Sequence, residues 1–127
     1  MIKIHVFDLD NTITRVDTFK FFILYYVFRH PHLYFSFILF LFIIPIYLFG
    51  FKRGSWLKEN FVEKCLKNEK RETIEKECHK FSIIIYNYFL NKKIKKIILK
   101  LSNEKDNYML LISASFDIYV SKLGELI

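Results

Sequence analysis

The sequence predicts an α/β fold, an incomplete parallel core of two strands with a helical cap inserted between them. Three observations predict it. A β-branched apolar run, IKIHVFDLD, opens the chain and stops at the polar Asp10, Asn11 and Thr12. A long stretch with helical spacing follows, and then a second compact apolar run, YMLLISAS at 108–115, ends in small hydroxyl residues. A strand that stops at a polar loop and feeds a helix is how open parallel sheets present their sites.

In chain order, Ile2, Ile4, Val6 and Phe7 carry the first strand, and residues 1–17 form that strand and its loop. From Thr18 the spacing turns helical, and residues 18–90 make up the cap. Ser55 reads as the N-cap of a helix through Trp56, Leu57, Phe61, Val62, Cys65 and Leu66. Ile74, Cys78, Phe81, Ile85 and Phe89 repeat the period in the next helix. Ile94, Ile97, Ile98 and Leu101 mark a third, with lysines opposite, and residues 104–107 form a polar turn. Residues 91–127 hold the second core strand, Tyr108 to Ser115, with its flanking helices, the last being FDIYVSKLGELI.

Inside the cap, the segment 33–51 has no charged residue and is flanked by Arg29 and by Lys52 and Arg53. Its length qualifies it as a membrane span. Topology opposes one simple crossing, because a single span would place the two strands on opposite sides of the membrane, and they must meet if they share a sheet. The preceding apolar run, 21–28, covers only about 12 Å as a helix, too little for a return crossing. Pro45 also kinks the block. Two arrangements stay open, helices that are buried or dip into a membrane, and a true span.

With 53% apolar and 19% aromatic residues, the 127-residue chain has ample surface to bury, which excludes disorder. Lysine outnumbers arginine sixteen to four, and no arginine-aromatic interleaving is present, so the net charge of +7 does not indicate a nucleic-acid partner. The run Lys92, Lys93, Lys95, Lys96 reads as a solvated helix face. Cys65 and Cys78 lack metal-site or redox spacing and read as ordinary reduced thiols. The first apolar run is broken by Asp8 and Asp10 and has no cleavage site after it, so a cytoplasmic location is expected, with membrane contact through 33–51 as a further expectation.

The chemistry sits in VFDLDNTIT, 6–14. With five Asp and four Thr in the chain, Asp-x-Asp-x-Thr arises by chance about 0.006 times per sequence. Alternate residues leaving a strand end can converge where the backbone turns, so one carboxylate can attack while the other manages protons. Two neighbouring carboxylates repel, and a divalent cation relieves the repulsion. Mg²⁺ with a phosphate ester fits that arrangement.

FDLDNT followed about a hundred residues later by LLISAS resembles motifs I and II of the haloacid dehalogenase (HAD) superfamily, and the helical insertion between them resembles its phosphoserine phosphatase-like family IB. The resemblance implies a HAD-like Rossmannoid core and a Mg²⁺-dependent phosphomonoester hydrolase acting on a small phosphorylated metabolite. It makes Asp8 the nucleophile and a metal ligand. It makes Asp10 the general acid and base, with its backbone carbonyl on the metal. The amides of Leu9 and Asp10 would face the phosphoryl group, Thr12 would brace the loop, and Ser113 would hydrogen-bond the phosphoryl. Asp17 lies where related enzymes place a substrate-reading acid, and equally where a helix N-terminus favours an acid. Ser115 enters only as a neighbour of the phosphate loop.

Family members continue with a lysine and then a strand bearing further metal acids. This chain ends one helix past motif II, with Lys122 too early for the lysine role, so it reads as an N-terminal part lacking a C-terminal half and a poor catalyst alone. The alternative is a catalytically degenerate small protein, membrane-associated or partner-binding, in which 33–51 is the functional element.

Overall fold

The structure, a computed structural model, describes residues 1–50 and 52–127. Two strands, β1 (Lys3–Asp8) and β2 (Asn107–Ile112), pair in parallel, with Lys3 opposite Asn107 and Asp8 opposite Ile112. Among the described residues seven α-helices accompany them: α1 (Thr18–Arg29), α2 (Tyr34–Leu41), α3 (Ile44–Leu48), α4 (Gly54–Phe61), α5 (Arg71–Ile84), α6 (Lys92–Ser102) and α7 (Asp117–Leu126). The architecture is the α/β arrangement expected, with five helices between the end of β1 and the start of α6.

The chain divides into two compact units, one made of Met1–Phe22 with Glu75–Ile127, the other of Ile23–Ile74. In the first, Leu9, Ile13, Phe19, Phe22, Phe81, Ile85, Ile98, Tyr119 and Leu123 are buried. An aromatic cluster organises this core. Phe22 lies 5.2 Å from Phe81, 5.3 Å from Tyr119 and 5.5 Å from Phe116, and Phe81 meets Tyr119 edge-on at 5.1 Å. Such offset and edge-on pairs add to the area they bury. Asn91 caps α6, its side chain accepting from the Lys93 amide at 3.1 Å. On that helix Ile98 turns inward while Lys92, Lys93 and Lys96 are exposed; Lys95 reaches the Tyr86 hydroxyl at 2.9 Å.

In the second unit Tyr26, Leu33, Phe40, Phe61, Cys65 and Leu66 are buried, with Phe40 edge-on to Phe61 at 5.6 Å. The apolar segment 33–51 does not form one long helix. It breaks into α2, eight residues, and α3, five residues. Pro45 sits in the first turn of α3, where its missing N–H is harmless, but it could not have donated to a helix continuing from Leu41. Gly50, at φ 77°, stops α3 in a left-handed conformation that suits glycine. Phe51, the last residue of the segment, lies outside the described residues. Among the described residues no helix is long and apolar enough to cross a membrane.

One local expectation is corrected. Ser55 is not a cap: α4 starts at Gly54 with Arg53 at the N-cap position and no side chain bonded there. The helical pattern from Trp56 to Leu66 holds, but its last turn, Val62–Leu66, widens to π geometry, as does Ile85–Phe89 after α5.

Both cysteines are buried and unpaired with each other. Burial pushes the Cys65 thiol up to about 11 and, with Glu75 and Glu77 adding negative potential, the Cys78 thiol up to about 12. Since the thiolate is the reactive form, both should resist a disulfide reagent at pH 8 in the native chain and react at once in urea. Rapid native labelling of either would contradict the burial described.

Candidate active site

The parallel register places Asp8 at the end of β1 opposite Ile112, and Ser113 is the next residue beyond β2. Both therefore sit at the carboxyl end of the sheet, where ligands bind in open parallel sheets. Asp8 is exposed, and its carboxylate makes no hydrogen bond or ion pair with any described residue. An exposed carboxyl with no partner among the described residues is open to an incoming group.

After Asp8 the backbone turns sharply. Leu9 is fully buried, Asp10 is extended (φ −71°, ψ 128°), and Asn11 is left-handed (φ 59°), a conformation asparagine tolerates. The turn is closed by Thr14, whose amide donates to the Leu9 carbonyl at 3.0 Å. Its hydroxyl reaches the carbonyls of Val16 at 2.7 Å and Leu9 at 3.1 Å. Backbone bonds from Arg15 to Phe89 and from Asn91 to Ile13 hold the same loop against the segment before α6. Thr12 is half-buried, so the side-chain bonds that fasten this loop come from Thr14, two residues on.

Asp10 is the opposite of Asp8. Its Oδ1 accepts from the Thr18 amide at 2.8 Å and the Thr18 hydroxyl at 2.6 Å, and its Oδ2 accepts from the Ser115 hydroxyl at 2.9 Å. The Thr18 amide belongs to the first turn of α1, so the helix dipole adds to the field favouring an anion there. Because the Thr18 proton points to the carboxylate, its oxygen is left to accept from the buried Tyr119 hydroxyl at 3.1 Å. The result is a relay from Tyr119 through Thr18 to Asp10. Burial pushes the Tyr119 phenol up to about 12, the Asp10 charge pushes the same way, and the hydrogen bonds to Ser115 and Thr18 pull against both.

A phenol whose folded value lies above its free value near 10 contributes stability that is complete below pH 10 and lost as pH rises through 12. Alkaline titration of the native chain, followed by circular dichroism, should show stability falling across that window. Tyr119→Phe should flatten the fall; an unchanged slope would mean that Tyr119 ionises as freely folded as unfolded.

Ser113 is half-buried, and its hydroxyl oxygen accepts from the Ser115 amide at 3.0 Å, which orients it at the strand end. Asp17 caps α1: its Oδ1 accepts from the amides of Phe19 at 3.1 Å and Lys20 at 3.2 Å, and its Oδ2 lies 3.6 Å from the Lys20 ammonium. Sequence reasoning missed Thr18 and Tyr119 and gave Ser115 only a neighbour's place. Ser115 lies in the bend before α7 and Tyr119 in that helix's first turn, so no periodicity in the sequence joined them.

Among the described residues no three His, Cys, Asp or Glu side chains form a metal cluster. The donors present are oxygens, the partnerless Asp8 carboxylate and the backbone carbonyl of Asp10; both carboxylate oxygens of Asp10 are already engaged. Oxygen donors of this kind are what hard divalent cations take.

A family model described as haloacid dehalogenase-like hydrolase matches residues 5–127. Comparison with curated proteins and with solved structures returns no match.

Proposed function

Because the chain belongs to the haloacid dehalogenase-like hydrolases, we propose that its site is built for Mg²⁺-dependent hydrolysis of a small phosphomonoester, in the manner of the phosphoserine phosphatase-like branch. The observation that carries this reading is the division between two carboxylates two residues apart, Asp8 without a partner and Asp10 held by three donors. The helical stretch between β1 and β2 supports the branch.

In this reading Asp8 attacks phosphorus, the bond to the leaving oxygen breaks, and Asp10 gives that oxygen a proton. A water then attacks the aspartyl-phosphate, Asp10 takes its proton, and Asp8 is released with inorganic phosphate. Ser113 donates to a phosphoryl oxygen, and the amides of Leu9 and Asp10 face the same group. Thr18 and Ser115 hold the Asp10 carboxyl in place while its proton comes and goes. Asp8 and the Asp10 carbonyl would hold Mg²⁺, which would supply charge neutralisation between nucleophile and phosphate when bound.

The test is phosphate release from an aryl phosphate with Mg²⁺ and with chelator, together with trapping of a hydroxylamine-sensitive phosphoenzyme. Slow Mg²⁺-dependent release, as suits a poor catalyst, and a trapped label are expected. Release insensitive to chelator, or no label under any condition, would remove the proposal.

A further inference from the structure

The second unit carries an apolar surface that the hydrolase chemistry does not use. Phe28, Phe35, Phe42, Leu48 and Phe49 are between 72% and 77% exposed, and Ile38, Leu39 and Leu41 are also open to solvent. Surface of this kind on a folded chain marks a place where something docks. From the pattern of charge around it and the cavity within it, the geometry points to an anionic membrane surface, on which α2 and α3 lie in the interfacial plane.

Four features select lipid. Between Asp17 and Glu59 the chain has no acidic residue, while Arg29, Lys52 and Arg53 are exposed beside the apolar helices. Cations bordering an apolar face are what anionic headgroups attract. Second, α2 and α3 extend about 12 and 8 Å, too short to cross a bilayer, and both are uncharged and largely apolar, as helices lying in the interface plane can be. Third, Leu24, Val27, Phe28, Tyr34, Phe37 and Ile38 line an apolar cavity of about 260 Å³. A dry cavity of roughly 150 Å³ already admits benzene, so this one has room for the end of an acyl chain. The indole of Trp56, with Lys52 5.8 Å from its ring, gives the amphipathic edge found at membrane interfaces.

The test is sedimentation of the whole chain with phosphatidylcholine vesicles, with and without one quarter phosphatidylglycerol. Binding to the anionic vesicles is expected, falling with salt and released by alkaline carbonate. Phe35→Ser with Phe42→Ser should cut partition at least about thirtyfold. Lys52→Glu with Arg53→Glu should cut it about tenfold on anionic vesicles only. Tyr88→Ser, an equally exposed aromatic in the first unit, serves as the control and should leave partition unchanged, and circular dichroism confirms folding of each variant. No binding, equal binding by the Phe35 and Phe42 variant, or a concentration-dependent dimer that excludes vesicles would overturn the proposal. Resistance to carbonate would overturn it too, in favour of a span. Vesicle binding is read without turnover, so its failure leaves the hydrolase reading untouched.

Discussion

Asp8→Asn is expected to lower Mg²⁺-dependent hydrolysis of an aryl phosphate by about 10³-fold or more and to abolish the phosphoenzyme label. The side chain is exposed and has no partner among the described residues, so the change removes a nucleophile without breaking a structural bond. Asp10→Asn should behave differently. The asparagine oxygen can still accept from Thr18, and the Ser115 hydroxyl can rotate to accept from its amide, so the loop keeps its shape. What is lost is the proton. With an aryl leaving group, which departs readily, the label should still form and then persist, because no base activates water; turnover should drop by about 10² to 10⁴-fold. Equal turnover in wild type and Asp8→Asn would take Asp8 out of the nucleophile role. Loss of label in Asp10→Asn alone would reverse the two assignments.

Phe22→Ala should be the costliest single change to stability in the first unit. The ring is fully buried and meets Phe81, Phe116 and Tyr119 within 5.5 Å. Truncating such a phenylalanine costs about 3–5 kcal/mol from lost transfer energy and the cavity left behind. Domains of this size are stable by about 5–15 kcal/mol, so a large share of the total is at stake. Tyr88→Ala, at an exposed position, should stay within about 0.5 kcal/mol. Urea unfolding compares the two midpoints. A Phe22→Ala midpoint that moves no further than that of Tyr88→Ala would show that the aromatic cluster does not organise the core. Because Tyr119 belongs to both the cluster and the Asp10 relay, the same variant should also slow turnover by loosening Thr18.

The sequence was most legible where one physical pattern ruled alone. The alternation that ends at Asp8, the hydroxyls that end the second apolar run, and the isoleucine spacing of α6 each have one solution, and the two strands and that helix follow. Reading was weakest where tertiary contacts decide. The segment 33–51 is uniformly apolar, so periodicity could not locate the break between Leu41 and Ile44; backbone geometry around Pro45 did. The Ser55 cap failed because a hydroxyl near a helix start is only one way to begin a helix, and here the first turn starts a residue earlier. At the site, the two aspartates were visible as a motif. Their inequality was not, since it depends on Thr18, Ser115 and Tyr119 arriving from positions up to 109 residues away. Thr14 fastens the loop in place of the expected Thr12 through carbonyls that face inward only after the turn at Asn11 is made.

The two-stranded parallel sheet has a practical consequence for anyone handling this protein. Ile4, Val6, Tyr108, Leu110 and Ile112 are exposed along its strands, and each strand has one unpaired edge. Parallel sheets are ordinarily covered on both faces, and open edges template association between molecules. A net charge of +7 sets mutual repulsion between copies against that association. That repulsion reaches only about 10 Å at 0.1 M salt, while salt leaves apolar attraction intact or strengthens it. The chain therefore has a colloidal ceiling set by ionic strength. Light scattering should find monodisperse particles in dilute buffer and growing ones in concentrated salt, and purification without high-salt steps should recover the most protein.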